Sequence, residues 1–352
     1  MMKSTYNKND VQLLLKDISG LVEPLPTEER EKRIQGGTHY CEMLPVEYKP
    51  SEKYMKTYEM AMKNYAKITA DATARISEKM FQEKGENLVI VSLARAGIPI
   101  GILVHRYILN KYSVNVKHYA ISIIRDRGID HNAMNYILAR HRAEDIQFLD
   151  GWVGKGAIFH ELEKELVNYP NIDKRLAVVA DPANITDLCG THEDILIPSS
   201  CLNSTITGLL SRTFLRKDII SKMDFHGAAF YGKLLREDKS NEYIDDIERC
   251  FDYKTVNCDI VKGMAGLQIV RNIQEAYEID NVNLVKPGIG ETTRVLLRRV
   301  PWKILINEEY DTVDELAHIK QLAIEKGVPI ERSKVNLGNY KACGIIKKIA
   351  DV

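Results

Sequence analysis

Closely spaced cysteines are missing. The six cysteines, Cys41, Cys189, Cys201, Cys250, Cys258 and Cys343, lie scattered with no CxxC pair. That argues against a zinc site and against a small disulfide framework. Net charge is missing too, since 49 Lys and Arg balance 49 Asp and Glu. No overall field therefore draws the molecule onto nucleic acid or an anionic membrane, and any such binding has to come from a local patch. Nor is there an apolar leader core or a run of about 18 apolar residues, so neither secretion nor membrane spanning is expected. A reduced, cytoplasmic setting is the expectation. What is present, 45% hydrophobic and 28% charged residues over 352 positions, suits a globular protein of two or three domains.

One stretch organises the rest: Asp145-Ile-Gln-Phe-Leu-Asp-Gly-Trp-Val-Gly-Lys-Gly-Ala-Ile158. Ile146, Phe148 and Leu149 read as a buried strand that ends at Asp150. A loop with Gly151, Gly154 and Gly156 follows, and Ala157 to Val167 has helical periodicity. Strand, glycine loop, helix aims backbone N–H groups at one point, and Lys155 adds a point charge. That order suits a phosphate cradle; a tight turn with a surface lysine is the plainer alternative.

Along the chain, Val11 to Ile18 predicts a short helix, and two prolines break the segment that begins at Glu23. Gln35 to Glu42 packs a turn with His39, Tyr40 and Glu42, read either as a surface loop or as a segment folding over an active-site mouth. One long helix is predicted over 51–84, with a Tyr and Met stripe as its core face. A strand over 88–91 leads into a loop carrying Arg95, then a helix over 100–109. A strand over 116–124 precedes the charged stretch Arg125 to His131 and a helical piece to Arg142. Strands over 175–181 and 194–198 complete a set of five, the signature of a parallel, doubly wound α/β sheet with helices on both faces. Ligands bind such sheets at the carboxyl ends of the strands, so the loops 92–97, 125–131, 150–156, 181–187 and 199–205 should converge. The stretch from 218 to 267 carries no assigned chemistry. Beyond Val282 a small α/β module is expected, with a glycine turn at Pro287 to Arg294, a helix to Arg299, a strand over 303–307, a helix over 312–326, a last short strand and a terminal helix. Lys286, Arg294, Arg298 and Arg299 are its candidates for phosphate contact.

Residues 85 to 215 resemble a type I phosphoribosyltransferase, with the parts in the same order. The resemblance implies a PRPP loop at Phe148 to Ala157, in which Asp150 serves the ribose hydroxyls and Gly154, Lys155, Gly156 and Ala157 the 5-phosphate. It implies a pyrophosphate loop at Ala94, Arg95, Ala96 and Gly97, and a catalytic hood at Arg125, Asp126 and Arg127. The acceptor side would comprise Asp181, Cys201, Asn203, Ser204 and Thr205. Two positions depart from the pattern: Gly151 replaces the second acid, and Lys155 the threonine of the phosphate turn. More closely, the whole chain resembles the phosphoribosyltransferase-like family of tellurite-resistance and stress operons, some of whose members are labelled cysteine protease StiP. In that family a Pelota-type, L7Ae-related RNA-binding domain follows. Its RNA contacts would fall on Lys286, Gly288, Gly290, Glu291, Arg294 and Arg298, with Gly290 standing where a base-reading Asn is usual.

The domains implied are an N-terminal segment over 1–50 covering the site, a transferase-like domain over 51–265 and the RNA-binding module over 280–352. The leading expectation is phosphoribosyl transfer from PRPP, with substrate-bound Mg2+, to a base-like acceptor, with RNA and a second copy of the chain as further partners. Two other readings stand beside it: a cysteine hydrolase using Cys201 with His192 or His160 as base, and a non-catalytic RNA-binding regulator.

Overall fold

The computed structural model describes residues 2–254, 265–311 and 314–347; Cys258 lies outside them. Two short strands open the chain, β1 (Gln12–Leu13) and β2 (Lys16–Asp17), followed by α1 (Thr27–Gln35). The helix expected over 11–18 is thus absent. Leu14 N–H donates to the Ala120 carbonyl at 2.9 Å, so this apolar run completes a sheet edge instead. The 33-residue α2 (Glu52–Lys84) starts where Ser51 accepts the Tyr54 N–H and stops at Gly85, whose φ of 61° few other residues adopt. Its Tyr and Met stripe is core, as expected: Tyr58, Tyr65, Ile76 and Met80 are buried.

The central sheet follows: β3 (Val89–Ala94), α3 (Gly97–Tyr112), β4 (Lys117–Ile124), β5 (Gly128–Ile129), α4 (His131–Leu138), β6 (Ile146–Trp152), α5 (Ala157–Glu165), β7 (Ala177–Ala180) and β8 (Cys189–Thr191). The strand order is β1-β4-β3-β6-β7-β8, all parallel, with β5 folding back antiparallel on β4. Alternation sorts the side chains. Ile90, Ala120 and Leu149 pack with α2 and α3 on one face; Val89, Val91, Ile121 and Phe148 pack toward α4 and α5 on the other. The fifth strand is β8, not 194–198. That segment makes no ladder and runs into a 3-10 turn at Pro198–Cys201, because Asp194 is used elsewhere. Then come β9 (Gly227–Ala228), which pairs β2, and α6 (Ser240–Glu248).

The C-terminal part comprises α7 (Gly266–Ala276), β10 (Val285–Pro287), α8 (Ile289–Arg298), β11 (Pro301–Ile306), α9 (Ala317–Glu325), β12 (Ile330–Arg332) and β13 (Ala342–Ile346). Its sheet order is β10-β13-β11-β12. The residues expected as a terminal helix include β13, which lies between β10 and β11 with every residue buried. An apolar run this short carries no period that separates strand from helix. Helix α2 ties the two parts together: the Tyr54 and Tyr65 hydroxyls donate to the carbonyls of Leu297 and Glu315 at 2.5 and 3.1 Å. Among the described residues no helix is long and apolar enough to cross a membrane.

Candidate functional site

The ends of β3 and β6 meet at a glycine. A Cβ on Gly97 would lie 2.8 Å from the Leu149 carbonyl oxygen and 3.3 Å from Asp150 Oδ1, so only glycine lets the Arg95 loop sit against Asp150. Arg95 is fully engaged there. Its Nη2 holds Glu47 Oε1 at 2.9 Å, and its Nη1 donates to the Leu210 carbonyl at 2.7 Å. Ala94 and Ala96 flank it, Ala96 exposed. Asp150 keeps some solvent contact but is hemmed in by protein. That desolvation pushes its carboxyl up to about 7, against the Gly151 N–H at 2.7 Å and the charge of Arg294, which favour the anion. Arg294, from α8, pairs with Glu291 at 3.0 Å and lies 5.8 Å over the Trp152 ring.

Arg212 completes the floor. It is exposed by area, yet protein surrounds it so closely that its guanidinium is lowered to about 10, first by desolvation and then by Arg95, Arg294 and Arg30. Both facts fit a side chain at the bottom of a wet, deep recess. On the rim, the Arg125 N–H donates to the Tyr40 hydroxyl at 3.0 Å, Asp126 N–H to Glu161 at 2.9 Å, and Arg127 pairs with Glu42 at 3.2 Å. The expected hood therefore clasps the segment that carries residues 39–42.

The glycine loop after β6 faces the C-terminal part. Lys155 Nζ donates to the carbonyls of Val282 (2.6 Å) and Val285 (3.5 Å). Burial, then Lys286 and Arg125, lower its ammonium to about 8. The Gly154 carbonyl accepts the Tyr340 hydroxyl at 2.6 Å, and Gly156, at φ 92°, leads into α5 at Ala157. The groups expected to cradle a 5-phosphate are thus spent on holding two parts of the protein together.

The acceptor-side residues are interior. Ser204 and Thr205 are each 1% exposed, and the Thr205 carbonyl accepts the Lys239 N–H at 2.7 Å; Asn203 precedes them at the start of that 3-10 turn. Asp181 accepts the N–H groups of Ile185 and Thr186 at 2.7 and 2.8 Å. Cys201 is fully buried, with the charges of Tyr58, Tyr65 and Tyr243 acting on it. His192, expected as its base, has Nε2 3.6 Å from Cys189 Sγ, while its Nδ1 donates to the Asp181 carbonyl at 2.7 Å. His160 is exposed on α5 and paired with Glu163 at 3.1 Å.

The sequence reading passed over a second cysteine–histidine pair. His39 Nδ1 stands 2.9 Å from Cys41 Sγ and accepts the Cys41 N–H at 3.4 Å. His39 is half-buried, and Cys41 Sγ reaches the Leu215 carbonyl at 3.6 Å. The H-x-C spacing was visible; its meaning depends on the rim that Arg125 and Arg127 build around it. A family model described as "Tellurite-like stress resistance cysteine protease StiP" matches residues 4–248. The chain belongs to that family. A relative named cysteine protease StiP, from Acinetobacter baylyi (strain ATCC 33305 / BD413 / ADP1), is 32% identical over 366 residues, covering 98% of this chain and 94% of its own. No solved structure matches.

StiP membership overturns the phosphoribosyltransferase expectation, and with it the reading of this chain as a glycosyltransferase. Both comparisons name a cysteine protease, so the hydrolase alternative is the one they favour. The geometry agrees: Gly151 supplies no second acid, Arg95 is filled by Glu47, and Lys155 is turned onto backbone carbonyls.

A PELOTA RNA binding domain model matches residues 264–348. Its glycine turn is packed inward. The Ile289 N–H donates to both Asp194 oxygens at 2.9 Å, the Lys341 N–H donates to Oδ2 at 2.9 Å, and Gly288, at φ 94°, lies against the same carboxylate. Gly290 faces Ser200, and Glu291 faces Gly154. Lys286 is half-buried; the Arg298 side chain lies outside the described residues.

Proposed function

We propose that this chain is a cysteine protease in which Cys41 is the nucleophile and His39 the base. The observation that carries the reading is the His39–Cys41 pair, 2.9 Å apart on the rim of the recess, in a chain of the StiP family. Because Nδ1 of His39 accepts the Cys41 N–H, it is the unprotonated nitrogen, and it faces the thiol. Burial pushes the thiol up to about 11, and desolvation, ahead of Arg127, lowers His39. The resting pair is therefore neutral, and the proton passes to Nδ1 only as sulfur attacks. The S–C bond forms on the peptide carbonyl, the C–N bond breaks, and the amine leaves with the proton from His39. Water, deprotonated by His39, then hydrolyses the thioester and frees the thiol.

A second reading uses Cys189, because His192 is held by the Asp181 carbonyl with Nε2 aimed at that sulfur. Against it, Cys189 is fully buried. The test compares Cys41→Ser, Cys189→Ser and Cys201→Ser on a fluorogenic peptide library. Cys41→Ser should lower turnover about a thousandfold or more, with the other two near wild type. Loss confined to Cys189→Ser or Cys201→Ser would move the nucleophile there. The free thiols of the described residues support a reducing, cytoplasmic setting, and the match over 264–348 supports RNA as a partner.

A further inference from the structure

Guanidinium groups outnumber their counter-charges in the recess beside Cys41. Arg95 is neutralised by Glu47 and Arg294 by Glu291. Arg212 makes no hydrogen bond or ion pair with its side chain among the described residues, although it is close enough to Arg95, Arg294 and Arg30 for their charges to oppose its own. Arg30 has a buried Nε without a partner. Such an arrangement repels itself unless an anion enters. The Tyr40 hydroxyl feels the charge of Arg212, so the recess opens beside the proposed nucleophile.

One carboxylate is already inside. Glu47 belongs to the same strap as His39 and Cys41, and its side chain is only 6% exposed against Arg95. It demonstrates the anion chemistry this pocket takes: a planar carboxylate against a planar guanidinium fork.

We propose that Arg212, with Arg30 beside it, forms a specificity pocket for an acidic side chain of the polypeptide substrate, seated next to Glu47 and within reach of Cys41. This rests on the protease reading for its role, but not for its binding. Two guanidiniums without counter-ions fit one Glu or Asp of a peptide. A phosphoryl group would add a second negative charge between Glu47 and Asp150, which disfavours a phosphopeptide.

The test measures binding, not turnover. Fluorescence anisotropy on the full chain carrying Cys41→Ser uses a labelled peptide with a central Glu-Glu, its Gln-Gln counterpart and a phosphoserine counterpart. The Glu-Glu peptide should bind at least about tenfold tighter than Gln-Gln, as loss of a charge-assisted hydrogen bond implies. Arg212→Gln should erase that preference, and Glu47→Gln should tighten binding by releasing the internal carboxylate. If Arg212→Gln fails to fold by thermal melt, Arg30→Gln gives the same reading. Equal binding of Glu-Glu and Gln-Gln, a preference indifferent to both arginine variants, or binding of the phosphoserine peptide alone overturns the pocket. Cleavage by wild type without charge preference removes the pocket but keeps the protease; charge-selective binding without cleavage does the reverse.

Discussion

Asp150 is the residue whose surroundings most change its chemistry. Its carboxyl stands at about 7, chiefly because burial penalises the anion. A carboxyl raised on folding contributes stability that is complete at pH below about 4 and is lost as pH rises through about 7. Asp194, raised to about 6 by burial, acts with the same sign. Asp150→Asn removes the first of these contributions. The fall in Tm between pH 5 and pH 8 should therefore shrink in the variant, with a remainder from Asp194. An unchanged pH slope would mean that Asp150 is not desolvated as described. At this scale the sequence was partly legible. Asp150, Arg95, Arg125 and Arg294 could be picked out because acids and arginines beside glycine turns at strand ends are rare. Arg212 and Glu47 could not, since a lone arginine in 211–216 and a glutamate after Pro45 carry no local signal.

At the scale of elements, the edge strand β8 depends on how closely α2 approaches it. A Cβ at Gly190 would lie 2.1 Å from the Ala72 carbonyl oxygen and 2.9 Å from that of Val179, both backbone atoms that cannot step aside. Gly190→Ala should cost about 3 kcal/mol, at the upper end of overpacking penalties, measured by urea unfolding. A loss below about 0.5 kcal/mol would mean that strand and helix pack more loosely. Elements with a clear period were readable from sequence: α2 from its 3.6-residue stripe, β3 and β6 from apolar runs beside glycine loops. Those decided by tertiary pairing were not. Leu13 to Ile18 became two strand pairings because β4 and β9 offer edges, and 342–346 became a central strand because β10 and β11 flank it.

For the whole molecule, Asp194 is the fastening. One carboxylate takes N–H groups from Ile289 and Lys341 and lies at the start of α8. There the helix dipole favours an anion. Asp194→Ala leaves two buried donors unpaired, a loss of about 1–3 kcal/mol for each. Calorimetry should then resolve two unfolding transitions where the wild type shows one, and limited proteolysis should release a fragment near 265–347. A single transition in the variant would place the fastening elsewhere, in the Tyr54 and Tyr65 contacts of α2.

Glu47 and Cys41 share one short length of chain, anchored at its far side where the Leu25 N–H donates to the Leu44 carbonyl at 2.9 Å. Whatever prises that glutamate off Arg95 must also tug on the sulfur, so a visitor to the basic recess announces itself at the thiol before any bond is cut.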